Sequence, residues 1–240
     1  MHPAPAAQLW PLDGVASAAM LSAASGLRPA VLLCTGAFNP VHAGHLEAMR
    51  AARSCARAHG FDPIIGLLSP SHDLYVRPKC AHTGATFVGA QERCGLVDLA
   101  CAQSAAWLRC ARWESASFHG EWPDFDEVAQ ALAAELAPGE DLVDARRIAV
   151  LYVCGADHFH HTDLHDGLNP KLGIGVIALP RGPADEHNLV ERPERLVFVA
   201  EPTEHVSVSS TQVRDRVRNG QSIHGLVPAS AELEIISLYS

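Results

Sequence analysis

The chain has 240 residues, 48% of them hydrophobic, with 27 acidic and 18 basic side chains and a formal net charge of −9. That suffices for one sizeable core and a single domain, while the acidic balance argues against a nucleic-acid backbone binder, which needs a broad basic surface. No apolar run approaches membrane-spanning length, the Ala/Pro-rich N-terminus lacks the basic region of a secretory signal, and seven cysteines without a C-x-x-C pair fit buried thiols in a cytoplasmic protein.

Residues 1–28 read as a weakly structured leader with a short helix over Val15 to Ala24, and residues 29–240 as the domain. Strand patterns near 30–35, 63–68, 107–112, 147–154, 173–179 and 195–200 alternate with helical patterns near 43–59, 88–104, 124–137, 209–219 and 229–238. This alternation predicts an α/β fold, a Rossmann-like doubly wound parallel sheet with helices on both faces and ligands at the carboxyl ends of its strands.

The chemistry-bearing segments fall at those ends. After the first strand comes Gly36-Ala37-Phe38-Asn39-Pro40-Val41-His42-Ala43-Gly44-His45, in which Gly36 permits a sharp turn and Pro40 fixes φ. A helix starting near Val41 puts His42 and His45 in its first turn, facing one bound phosphate; a solvated cap or a pair of metal ligands would use the same imidazoles. The second strand ends in Leu68-Ser69-Pro70-Ser71-His72-Asp73-Leu74-Tyr75-Val76-Arg77, a loop offering charge and an aromatic ring. The third carries Trp107-Leu108-Arg109-Cys110-Ala111-Arg112-Trp113-Glu114, and the fourth ends in Cys154-Gly155-Ala156-Asp157. The histidines at 158, 160, 161 and 165 could be a metal cluster instead, since imidazoles are frequent zinc ligands. Near the C-terminus, Val206-Ser207-Val208-Ser209-Ser210-Thr211-Gln212-Val213-Arg214 joins a strand to a helix start rich in hydroxyls. It reads as a second anion site with Arg214 one turn in, or as ordinary capping of a surface helix. Arg77, Lys79, Arg93, Arg181, Arg214, Arg216 and Arg218 are the local basic residues of interest.

The first of these segments resembles the G-x-F-x-P-x-H-x-x-H signature of the nucleotidyltransferase superfamily. Ser209 to Arg214, followed by Arg218 to Pro228, resembles the C-terminal S-S-T-x-x-R region of nicotinamide or nicotinate mononucleotide adenylyltransferases. The Ser69 to Tyr75 loop is similar to that family's S-P-x-x-D-x-Y, the Trp107 to Glu114 stretch to its W-x-x-x-x-x-W-E, and Gly155 to Asp157 to its G-x-D. The resemblance covers about 30 to 240 and is thin from Ser115 to Arg146, which reads as a helical insertion or lid.

The resemblance implies transfer of AMP from ATP to nicotinamide or nicotinate mononucleotide, with Mg²⁺ held mostly by phosphates and water. It implies catalytic roles for His42, His45 and Arg214, and ATP contacts from Gly36, Phe38, Gly155, Asp157, Ser209, Ser210 and Thr211. Acceptor contacts fall to Asn39, Asp73, Tyr75, Arg77, Trp107 and Arg109, with Trp107 stacking on the pyridine ring and Arg77 holding the acceptor phosphate; Trp113 reads as simple core packing. No protein metal site, nucleic acid or membrane is expected; a homo-oligomer is compatible with the sequence. The chain departs from the family where a second tryptophan often follows the G-x-D, since Leu168 and its neighbours stand there. A sister nucleotidyltransferase with another phosphorylated acceptor and a non-catalytic nucleotide sensor are the alternatives.

Overall fold

Apolar runs become buried strands in the computed structural model, which describes residues 9–102, 107–116, 121–137, 148–180, 182, 185, 188–202 and 208–240. β1 (Arg28–Gly36), β2 (Phe61–Pro70), β4 (Ala149–Gly155) and β5 (Ile174–Leu179) are nearly continuous in burial, as strands covered on both faces must be. The short strands β3 (Leu108–Cys110) and β6 (Val197–Val199) form the edges. All six pair in parallel in the order β3-β2-β1-β4-β5-β6. The order reverses between β1 and β4, and at such a switch point the loops leaving the two strands diverge and open a crevice.

Nine α-helices are described: α1 (Val15–Ala24), α2 (Ala43–Ala58), α3 (Asp73–Thr83), α4 (Ala90–Ala102), α5 (Trp113–Ala116), α6 (Phe125–Glu135), α7 (Ala156–His161), α8 (Ser210–Arg218) and α9 (Glu232–Tyr239). α2 buries Leu46, Met49, Ala52, Cys55 and Ala56, an apolar stripe at helical spacing that lies on one face of the sheet with residues of α4, α8 and α9. α6 and α7 cover the other face through Val128, Leu132 and Phe159. α6 is therefore core, which the reading of 115–146 as an insertion or lid did not capture; residues 117–120 and 138–147 lie outside the described set. So do Arg181, Val206, Ser207 and the end of the expected 88–104 helix.

Two further expectations change. α3 starts within the stretch Leu68 to Arg77 read as a loop and runs on through Pro78; His72 caps its start, Nδ1 accepting from Leu74 N–H at 3.1 Å. The leader is not weakly structured over residues 9–27. Its helix α1 packs on β1 and β2, Ser22 bonds to Asp62, and Trp10 is only 3% exposed. Its apolar side chains find cover that local periodicity could not announce. All seven cysteines are free thiols. Among the described residues no helix is long and apolar enough to cross a membrane.

Candidate active site

The loop after β1 is held in one conformation by its own side chains. The left-handed residue is Phe38 (φ 43°), while a Cβ on Gly36 would meet only the Phe38 ring at ordinary contact distance, so the tight backbone belongs to Phe38. α2 begins at Ala43, where the 43–59 pattern starts and two residues after the Val41 start that would put both histidines in its first turn; His42 is extended and serves as its N-cap. His42 N–H donates to His45 Nδ1 at 3.1 Å, and the two rings stack with centroids 3.6 Å apart. With Nδ1 accepting, a neutral His45 carries its proton on Nε2, which makes that nitrogen a donor. Phe38 packs edge-on against the same ring at 4.7 Å.

The distant C-terminal motif arrives at this loop. Ser209 caps α8, its side chain accepting from Gln212 N–H at 3.2 Å; Ser210 Oγ donates to Pro40 O at 2.8 Å. Arg214 donates to Asn39 O at 2.5 Å and to Thr211 Oγ1 at 3.0 Å. Ala43 N–H, at the start of α2, donates to Leu226 O beyond α8. Two helix N-termini, each a locus of positive potential, are thereby tied to one loop. A groove of about 400 Å³ runs beside it, lined by Ala37, Lys79, Thr211, Arg214 and Arg218.

On the β2 and β3 side the organising residue is Arg93, fully buried, which the sequence marked only as a basic residue. It donates to Val88 O (3.0 Å), Ala37 O (2.7 Å) and Ser71 O (2.6 Å) and pairs with Asp73 at 2.8 Å, joining the loops after β1 and β2. An arginine fork is the side chain able to satisfy so many acceptors at once. Ser69 Oγ donates to the buried Glu114 at 2.7 Å. Burial pushes the Glu114 carboxyl up to about 7 against the opposing hydrogen bonds from Ser69 and Ser71.

The structure does not bring the expected acceptor residues together at one place. Trp107 lies beside Gly66 under Arg53, whose guanidinium is 4.5 Å from its ring. Gly66 stands four residues before the end of β2 at Pro70, about 13 Å back along the strand from the crevice. The tryptophan at the carboxyl end is Trp113, the first residue of α5, stacked on Trp10 of the N-terminal segment with ring centroids 5.6 Å apart. Arg109 points to that same segment, donating to Pro11 O (2.9 Å) and Asp13 O (3.2 Å). Asn39 is buried with its amide committed: Nδ2 donates to Thr86 O at 2.7 Å and Oδ1 accepts from Tyr239 Oη at 2.6 Å. Asp73 holds Arg93. Tyr75 is exposed, near Trp122 and Lys79, and the exposed Arg77 rests on the Phe87 ring at 4.1 Å.

At the end of β4, Gly155 caps α7 and the exposed Asp157 stands in its first turn, beside the switch point. The neighbouring histidines do not converge. His158 turns inward to Tyr152 Oη (3.2 Å) and the edge of Phe125, its burial lowering its pKa, whereas His160 and His165 face each other at 3.3 Å outside. Among the described residues, no three potential metal ligands of this segment come together.

The fold and parts of the sequence have counterparts among known proteins. The rice (Oryza sativa subsp. japonica) nicotinamide/nicotinic acid mononucleotide adenylyltransferase is 24% identical over 212 residues, covering 82% of this chain and 80% of its own. A second enzyme of that name from Saccharomyces cerevisiae is 24% identical over 219 residues, 84% of this chain and 53% of its own, so this chain spans about half its length. In structure, the chain is similar to the Plasmodium falciparum nicotinic acid mononucleotide adenylyltransferase complexed with NaAD. That likeness has a TM-score of 0.54 at 11% identity and covers 87% of this chain and 95% of the other, a similarity of fold. The family described as cytidylyltransferase-like matches residues 33–216, from within β1 to within α8, and because that span takes in both of the helix starts tied to the first loop, the chain belongs to this family.

Proposed function

We propose that the protein joins ATP to nicotinamide or nicotinate mononucleotide, giving NAD or its deamido form and releasing pyrophosphate. The observation that carries this reading is the clamp of α8 on the first loop through Ser210 and Arg214, which gathers the His42–His45 turn and two helix N-termini at one crevice. A site for a triphosphate needs that concentration of donors.

In this reading the 5′-phosphate of the acceptor attacks the α-phosphorus of ATP in line. The bond to the bridging oxygen of the β-phosphate breaks, the electron pair leaves with pyrophosphate, and no covalent enzyme intermediate forms. Phosphate is already a competent nucleophile, so the protein's contribution is alignment and charge stabilisation. His45 supplies the Nε2 proton donor, held in that tautomer by His42 N–H, and Arg214 with Ser209, Ser210 and Thr211 receives the leaving pyrophosphate. Gly36, Phe38 and Gly155 shape the ATP site, and Asp157 accepts from a ribose diol. No trio of metal-ligating side chains stands at these loops among the described residues. Mg²⁺ would be held mostly by phosphate oxygens and water, lowering their charge repulsion.

The acceptor belongs at the ends of β2 and β3. Trp113 replaces Trp107 as the stacking partner for the pyridine ring, backed by Trp10, and Arg77 and Lys79 on α3 supply positive charge for the acceptor phosphate. Free thiols throughout fit a reducing, cytoplasmic setting.

Product analysis tests the reading: the full chain is mixed with ATP, Mg²⁺ and each mononucleotide separately. Dinucleotide and pyrophosphate should appear in equal amounts. Turnover only on a different phosphorylated acceptor would assign a sister nucleotidyltransferase, and ATP binding without turnover on any acceptor would assign a sensor.

A further inference from the structure

A second cluster of reactive side chains lies at the other end of α2. Cys55 and His59 stand one turn apart on that helix, and Glu191 comes from the segment between β5 and β6. One ligand atom from each, a sulfur, an imidazole nitrogen and a carboxylate oxygen, lies within 4.8 Å of the other two. His59 Nε2 is 3.4 Å from the Glu191 carboxylate, and Cys55 Sγ is 3.8 Å from His59 Nδ1. Tetrahedral zinc, with bonds of about 2.0–2.3 Å, sets its ligand atoms about 3.5 Å apart, so His59 Nε2 and the Glu191 oxygen already stand at that spacing, while the Cys55 thiol, which donates to Val199 O at 3.5 Å, must rotate away from that carbonyl to join them.

The surroundings favour a metal over chance proximity. His59 Nδ1 is 2.9 Å from Cys55 O and donates to it, which leaves the Nε2 lone pair facing the Glu191 oxygen. In the neutral ring two acceptors then face each other, and either a second ring proton or a metal cation bridges them. A backbone carbonyl receiving Nδ1–H is also the usual second contact of a metal-bound histidine. The ring is further fixed by Phe198, 4.5 Å away, and Glu191 is oriented by Val199 N–H at 2.9 Å. A surface groove of about 790 Å³, to which Cys55, His59, Glu191 and Glu201 contribute, gives an ion access and leaves a fourth position open.

We propose that Cys55, His59 and Glu191 form a zinc site that ties the end of α2 to the β6 edge of the sheet. The donor set of one sulfur, one nitrogen and one carboxylate suits zinc and is foreign to magnesium or calcium, which take oxygen shells. On loading, the metal–sulfur bond forms as the thiol proton leaves to solvent, and thiolate plus carboxylate neutralise the dication. The site is separate from the adenylyl-transfer reading and stands or falls without it.

The test is titration of the metal-free full chain with Co²⁺, followed by displacement with Zn²⁺. A thiolate-to-cobalt charge-transfer band should saturate at about one equivalent and disappear in Cys55→Ser. Glu191→Gln, a change at an exposed side chain, should weaken metal affinity by at least about tenfold, the lower range for loss of a metal-site partner. His59→Gln should do the same, which keeps the proposal decidable should the buried serine variant fail to fold. Absence of the band, its survival in a folded Cys55→Ser protein, or wild-type affinity in Glu191→Gln would overturn the proposal and leave His59 and Glu191 as an ion pair only.

Discussion

The two sides of the crevice are built differently. On the proposed phosphate side, two short continuous segments, Gly36 to His45 and Ser209 to Arg214, carry most of the donors, and tertiary structure brings them together through Ser210, Arg214 and Leu226. On the acceptor side the participants come from five places: the ends of β2 and β3, α3, Arg93 of α4 and the N-terminal segment with Trp10. A site made of continuous motifs tolerates error in strand boundaries. A site assembled from single residues does not, because a few positions of error along a strand move a side chain from the carboxyl end to the middle of the sheet.

Arg93 offers the largest effect by which to break this comparison. Arg93→Met leaves Asp73 and three backbone carbonyls without their buried partner, and should cost about 3–5 kcal/mol of stability, read as a lowered denaturation midpoint. A near-neutral result would mean that the acceptor side does not depend on that hub. His45→Ala should keep the fold but lose on the order of 3 kcal/mol of transition-state stabilisation, a hundredfold or more in kcat, measured by pyrophosphate release. Normal turnover by this variant would remove the charge-stabilising role assigned to the first motif.

Glu114 gives a pH signature confined to the acceptor side. Its folded pKa of about 7 lies above its ordinary 4.5, so the folded state holds the proton more tightly. Stability from this group is complete below about pH 4.5 and falls as pH rises to about 7, by up to about 3 kcal/mol, then levels off. Glu114→Gln keeps an acceptor for Ser69 and should flatten that slope in denaturation measured across pH. The smallest effect separates the tryptophans. Trp113→Ala should raise the acceptor KM by about 1–3 kcal/mol equivalent and spare the ATP KM, if base stacking elsewhere is a guide. Trp107→Ala should instead lower stability with the acceptor KM unchanged; the opposite pattern would restore the original assignment.

Sequence alone determined the parallel α/β architecture, because strands buried on both faces must read as unbroken apolar runs and helices between them must show a 3.6-residue stripe. It also marked the two phosphate-facing segments, whose donors sit within a turn of one another. What it could not place has a common cause. The sequence does not show that Thr86 and Tyr239 hold the Asn39 amide, or that Arg109 reaches Pro11 and Asp13. Only the tertiary structure decided these points, because hydrogen-bond capacity is local but the partner that fills it lies tens to hundreds of residues away. The same holds for the stacking of Trp113 on Trp10 and for Cys55, His59 and Glu191, whose proximity no spacing in the chain expresses.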